Sequence, residues 1–320
     1  MQPEFVERPW GARDLSPIYP EHRSEKPVGE VWLTGDENRV ANGPLAGRTL
    51  GELCREFGRV LVGESARETE RFPLLIKFLF SCEKLSVQVH PDDETARRAG
   101  LPCGKTECWY VVAAEPGAQV ALGLKPGVTR EQLARAIRDV QAEKLLNWVD
   151  IHPGEMIYVD AGTVHTIGPR AILLETQQNS DTTYRLYDYG RAREIHVEQG
   201  LAATKERTRA GKVKASGDGE LDTLVLSRCF CVTRYRFVDS WASSDNRQPY
   251  SWPSVEIVLA LVGNGIVQAE GLPAVNFAQG DAVVVPASVS SFEISSEGEM
   301  EALSMYLPPP GTTIEPETTL

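Results

Sequence analysis

The chain has 320 residues, enough for one large domain or two ordinary ones, and its 42% hydrophobic and 24% charged content is that of a globular protein able to bury a core without disulfide staples. A formal net charge of -12 argues against a nucleic-acid partner, which calls for clustered Lys and Arg, but leaves room for a small phosphorylated ligand held by one or two local cations. No signal-peptide pattern opens the chain, and its longest apolar stretch, Phe72 to Phe80, is broken by Lys77 and too short to span a bilayer. A cytoplasmic protein with no membrane partner is therefore expected, and its six cysteines, which form no CxxC pair, are expected to be reduced thiols.

In chain order, Thr49, Leu50, Gly51 and Glu52 read as a capping box opening a helix that carries Leu53 and Phe57 and stops at Gly58. β-rich runs follow at Leu74 to Phe80 and Leu85 to Val89, then a short polar helix at Asp93 to Arg98 before Gly100. Further strands are predicted at Cys108 to Ala113 and Gln119 to Leu122. A second capping box at Thr129 to Gln132 opens a helix spaced by Leu133, Ile137 and Val140. Met156 to Val159 and Ala171 to Glu175 complete a set of short strands separated by Pro, Gly and Asp turns, the pattern of a jelly roll or barrel. Thr204 to Glu220 reads as a linker or mobile loop, β patterning resumes at Leu221, and Pro308 to Leu320 reads as an extended or disordered tail. The expected organisation is mainly β: residues 1–215 as a first domain with inserted helices, 221–307 as a second β domain, and 308–320 as a tail.

The two β regions echo each other. In the first, Pro153, Gly154 and Glu155 form a turn, Asp160 follows, and His165 ends the unit; in the second, Gly280 and Asp281 lead through Pro286 to Ser291. Both resemble the second cupin motif, a turn and a strand that deliver a side chain into a barrel mouth. Two cupin-like jelly-roll barrels are thus expected. Serine is a poor zinc ligand and no histidine follows His196, so the second barrel is expected to be metal-free.

Metal-ligand chemistry gathers in the first region. Gln88 and His90 lie two apart on a predicted strand and so leave the same face; Glu107 is read as opening its partner strand, and His165 comes from the cupin-like ending. Two imidazoles, a carboxylate and an amide around an open position suit a catalytic divalent metal, zinc by default, although two His and one Glu also fit non-heme iron. His22, His152 and His196 are read as ordinary histidines.

Several long runs carry a family resemblance. Leu85 to Asp93, Gly104 to Tyr110, Asp160 to His165 and Glu175 to Tyr189 closely resemble the signature segments of type I mannose-6-phosphate isomerases, and Arg8 to Gly11 and Gly29 to Trp32 resemble that family's N-terminal segments. The resemblance covers roughly residues 5–200, in order, in the short bacterial form. It implies one zinc ion per chain on Gln88, His90, Glu107 and His165, a catalytic arginine at Arg185, and a sugar-phosphate substrate interconverted between mannose 6-phosphate and fructose 6-phosphate through a cis-enediol. For proton transfer Lys105, read as sharing Glu107's strand face, Glu175 and a zinc-bound hydroxide are the alternatives; Ser86 and Lys77 are the candidates for phosphate. A metal-binding cupin that holds a sugar phosphate without turnover, and an isomerase of another phosphosugar, stay open, as does the oligomeric state.

Overall fold

The computed structural model describes residues 1–242 and 252–320; residues 243–251, inside the expected second domain, lie outside the described set. The chain is mainly β, in a cupin-like arrangement. An eight-stranded antiparallel sheet runs in the order Glu4–Ala12, Val28–Thr34, Leu74–Ser81, Ala171–Gln178, Glu107–Ala114, Met156–Val159, Gly211–Val213 and Thr318–Thr319. Facing it is a five-stranded sheet ordered Tyr184–Tyr187, Val87–Val89, His165–Ile167, Gln119–Leu124 and Leu146–Asp150. The third sheet is built from Ser216–Gly217, Leu221–Leu226, Cys231–Ala242, Glu293–Tyr306, Glu256–Val262 and Ala282–Val285. The hairpin of Asn264–Gln268 and Val275–Ala278 joins it along Glu293–Tyr306.

Period-two patterning makes the first large sheet two-faced. On Leu74–Ser81, Ile76, Phe78 and Phe80 enter a core that continues through Ile257, Leu259 and Met305 of the third sheet. Leu75, Lys77 and Leu79, between them, line a cavity on the other side. A strand buried on both faces explains why this run is almost continuously apolar.

Both capping boxes are made: Thr49 caps Leu50–Phe57 and Thr129 caps Arg130–Arg138, each with reciprocal side-chain and backbone bonds. The second helix stops earlier than its spacing implied, because Val140 adopts φ +56° and is exposed, outside the helical stripe. Short helices at Arg59–Val62 and Val197–Ala203 have too few apolar repeats to be read from sequence.

The expected linker and tail are both structured where they meet. Gly211–Val213 pairs with Met156–Val159 on one side and with the tail strand Thr318–Thr319 on the other. Glu315 anchors the tail by bonding Tyr158 and pairing with Arg228 at 3.0 Å. Thr204 to Glu220 and Pro308 to Leu320 are charged and Pro-rich, yet their backbone groups supply an edge that sequence composition does not report.

Candidate metal centre

Three side chains from separate segments converge between the two sheets of the first half. His90 follows the short strand Val87–Val89, Glu107 opens Glu107–Ala114, and His165 opens His165–Ile167. Their donor atoms lie within 4.8 Å of one another, and all three residues are buried. Glu107 does not pair with the strand of Gln88; the two strands belong to opposing sheets, so the carboxylate approaches across the interior. Gln88 instead stands opposite His165 in register.

Hydrogen bonding fixes the imidazoles. His90 Nδ1 is 2.9 Å from the Thr182 carbonyl and His165 Nδ1 is 2.9 Å from the Thr163 carbonyl. A carbonyl only accepts, so each Nδ1 carries the proton and each Nε2 presents its lone pair. Those lone pairs face the carboxylate: His90 Nε2 lies 3.4 Å from Glu107 Oε2, and His165 Nε2 lies 3.3 Å from Oε1. Burial, then Lys105 and its fellow histidine, hold His90 well below the usual imidazole range, and burial brings His165 down to about 4. Both imidazoles are therefore neutral at physiological pH, the form that binds a metal.

The carboxylate draws positive charge. Both oxygens of Glu107 are buried and accept no well-directed hydrogen bond, and burial, with Glu175 nearby, pushes its carboxyl up. The Lys105 ammonium reaches toward this spot, 2.7 Å from Glu107 Oε2 and 3.1 Å from His90 Nε2. Positive charge is thus drawn to the point where the ligand atoms meet, and the donor set fits a divalent ion. Gln88 places its amide 3.2 Å from His165 Nε2 through Nε2, while its Oε1 accepts from Ser86 Oγ. Turning that near-isosteric amide by half a turn would present oxygen to the centre.

Lys105 precedes its strand rather than lying on it. Its placement depends on Gly104, where an added Cβ would come within 2.6 Å of the Asp92 backbone, and on the Lys105 amide donating to the Pro91 carbonyl at 2.9 Å. This close crossing brings the lysine inward and buries it.

From the centre a ladder of alternating charge crosses the large sheet. Lys105 lies 3.6 Å from Glu175, Glu175 lies 3.1 Å from Lys77, and Lys77 lies 3.9 Å from Glu30. Arg8 clamps Glu30 through Nε and Nη2 at 3.1 and 3.0 Å, and Trp32 Nε1 donates to it at 2.7 Å. Register builds the ladder, since Lys77 stands opposite Trp32 on one side and Glu175 on the other. Burial would raise the Glu175 carboxyl, but Lys77 and Lys105 outweigh it and pull it down.

The ladder opens into a cavity of about 430 Å³ lined by Arg8, Trp10, Glu30, Lys77, Ser86, Gln88, Lys105, Glu175, Arg185 and Arg193 among others. Arg185 sits opposite Gln88 in the small sheet and donates from Nη1 to the Glu194 carbonyl at 3.0 Å. Sequence reasoning singled out neither Glu30 nor Arg193. The signal for Glu30 was its alternation with Trp32 in a segment already noted for its resemblance; for Arg193, whose position comes from a turn, there was none.

Residues 3–124 match the family model for the catalytic domain of type I phosphomannose isomerase. The chain is 33% identical to mannose-6-phosphate isomerase ManA of Bacillus subtilis (strain 168), the match covering 96% of this chain and 98% of that protein. It is equally 33% identical to the mannose-6-phosphate isomerase of Streptococcus mutans, over 96% of this chain and 97% of the relative. The crystal structure of the Bacillus subtilis mannose 6-phosphate isomerase superposes with a TM-score of 0.83 at 31% identity, covering 95% of this chain and 98% of that one. Similarity over the whole length, together with a buried His, Glu and His cluster, leads to one conclusion: the chain belongs to the type I phosphomannose isomerase family.

Proposed function

We propose that the protein is a zinc-dependent isomerase interconverting mannose 6-phosphate and fructose 6-phosphate, with the ion held by Gln88, His90, Glu107 and His165. The observation that carries this reading is the pair of Nδ1-anchored imidazoles whose Nε2 atoms face a fully buried carboxylate. When bound, the metal supplies Lewis-acid stabilisation of the charge that develops on the sugar's carbonyl oxygen. Iron on the same donors would imply oxygen chemistry, and a binding-only cupin would need no proton-transfer groups beside the centre. Lys105 and Glu175 stand there, which favours the isomerase.

The chain's own residues divide the remaining work. Aldose-ketose exchange moves a proton between C2 and C1 of the open-chain sugar through a cis-enediol. Glu175, held in its ionised form by Lys77 and Lys105, is in the accepting state. Lys105, ion-paired to Glu107 and Glu175, is the neighbouring donor. Arg185 supplies a guanidinium that stays charged at any working pH. Trp109 Nε1 donates to Glu175 Oε2 at 3.1 Å and fixes its orientation. Ser86 lines the cavity beside Gln88 and is proposed to meet a substrate oxygen. Residues 1–215 form the catalytic unit in this reading, and 221–307 a metal-free companion.

The test is metal content measured alongside a coupled assay on a panel of hexose 6-phosphates. Zinc at about one per chain with turnover of mannose 6-phosphate is expected. His165→Ala should remain folded but lose both metal and activity, and Arg185→Ala should keep metal and lose turnover. Full activity of the metal-free His165→Ala protein would refute the assignment.

A further inference from the structure

The mouth of the cavity gathers more positive charge than the proton transfer uses. Arg8, Arg185 and Arg193 all line it. In a chain of net charge -12, three converging guanidiniums repel one another, and a negative group between them relieves that cost. The protein's own carboxylates do so only in part. Arg8 is clamped by Glu30. Arg193 donates from Nε at 2.7 Å and from Nη2 at 2.6 Å to the two oxygens of Asp188. Arg185 is in ion-pair contact with no carboxylate among the described residues; its Nη1 donates to the Glu194 carbonyl, and its Nε is buried without an acceptor.

Asp188 makes Arg193 a directed donor rather than a loose surface charge. Its carboxylate is 2% exposed, lies 3.8 Å from Arg191 as well, and grips one edge of the Arg193 guanidinium. A planar guanidinium held along one edge presents its other edge in a fixed direction, which suits the oxygens of a phosphate. Lys77, the sequence-level choice for this role, already lies between Glu30 and Glu175.

We propose that Arg193, oriented by Asp188 and flanked by Arg185, binds the phosphate dianion of the substrate at the cavity mouth and sets the preference for phosphorylated over free sugars. This rests on the isomerase reading above and moves the phosphate from Lys77 to the arginine. Arg193→Ala in the metal-loaded full chain should raise KM for mannose 6-phosphate about 10- to 100-fold, the size of one lost charge-assisted contact. kcat should change by less than about threefold, on the same scale of difference measurement. Inhibition by inorganic phosphate should weaken in step with KM, metal content should match the parent, and Arg193→Lys should recover part of the loss. Unchanged KM and phosphate inhibition, or a joint fall in kcat and metal content with KM intact, would overturn the proposal. If the parent protein turns over no mannose 6-phosphate, the isomerase reading fails by itself. Calorimetric titration with inorganic phosphate then decides the anion site alone: binding lost in Arg193→Ala supports it, and equal binding or none in both proteins overturns it.

Discussion

Replacing Glu30 by Gln interrogates the charge ladder at a point remote from the His90, Glu107 and His165 cluster. Glu30 is 8% exposed, accepts hydrogen bonds from Arg8 and Trp32, and stands 3.9 Å from Lys77. Burial works to raise its carboxyl, yet Lys77 and Arg8 outweigh burial and bring it from 4.5 down to about 2. A depression of that size corresponds to roughly 3 kcal/mol of stability, at about 1.4 kcal/mol per unit. Because the folded value lies below the unfolded one, the contribution is complete above the unfolded value and lost as pH falls through the folded one; roughly 1 kcal/mol remains near pH 3. Glutamine keeps the shape and one acceptor but no charge. The variant should therefore be less stable than its parent by about 3 kcal/mol at pH 7, a gap that narrows to about 1 kcal/mol at pH 3. Denaturant unfolding followed by tryptophan fluorescence at the two pH values measures both gaps. A gap below about 1 kcal/mol at pH 7, or one equally large at pH 3, would mean that Glu30 behaves as a solvated surface partner.

Two further outcomes follow from the site and the tail. Stripping metal with a chelator should lower the thermal midpoint and adding zinc should restore it, since a ligand at a hundred times its Kd stabilises by about 2.7 kcal/mol; an unchanged midpoint would mean that the His90, Glu107 and His165 cluster holds no ion. Deleting residues 313–320 removes the Glu315 bonds to Tyr158 and Arg228 and unpairs the outer edge of Gly211–Val213. Equilibrium unfolding should then show a loss of about 1–3 kcal/mol with metal content unchanged, and no loss would show the tail strand to be energetically idle.

Much of the centre was legible because strand periodicity and turn chemistry are local. The spacing of Gln88 and His90, the opening position of Glu107 and the turn before His165 were each readable from a few neighbouring residues, and the structure brings all four together. What escaped was non-local. Which sheet Glu107 belongs to depends on strand order, and no run of residues encodes that Glu107–Ala114 lies between Ala171–Gln178 and Met156–Val159. The inward course of Lys105 depends on a glycine crossing another segment's backbone. Arg193 reaches the cavity through Asp188, five residues earlier, in a segment with no periodicity to read. The tail looked free because its partner strand sits in what composition marked as a linker.

The third sheet acquires a physical role when the large sheet's two faces are compared. On one face Lys77, Glu107, Trp109 and Glu175 point toward the cavity and the centre. On the other, Ile76, Phe78, Cys108, Tyr110 and Leu174 from the same strands enter a core shared with Leu259, Leu303 and Met305 of the third sheet. Burying ion pairs is costly unless they are held in good geometry by their surroundings. Strands that carry such pairs on one face therefore gain from a rigid apolar backing on the other. Ser291, read from the sequence as the counterpart of His165, is exposed. The third sheet's contribution is the backing: it packs against the strands whose register sets Lys77 opposite Glu175, the middle pair of the charge ladder.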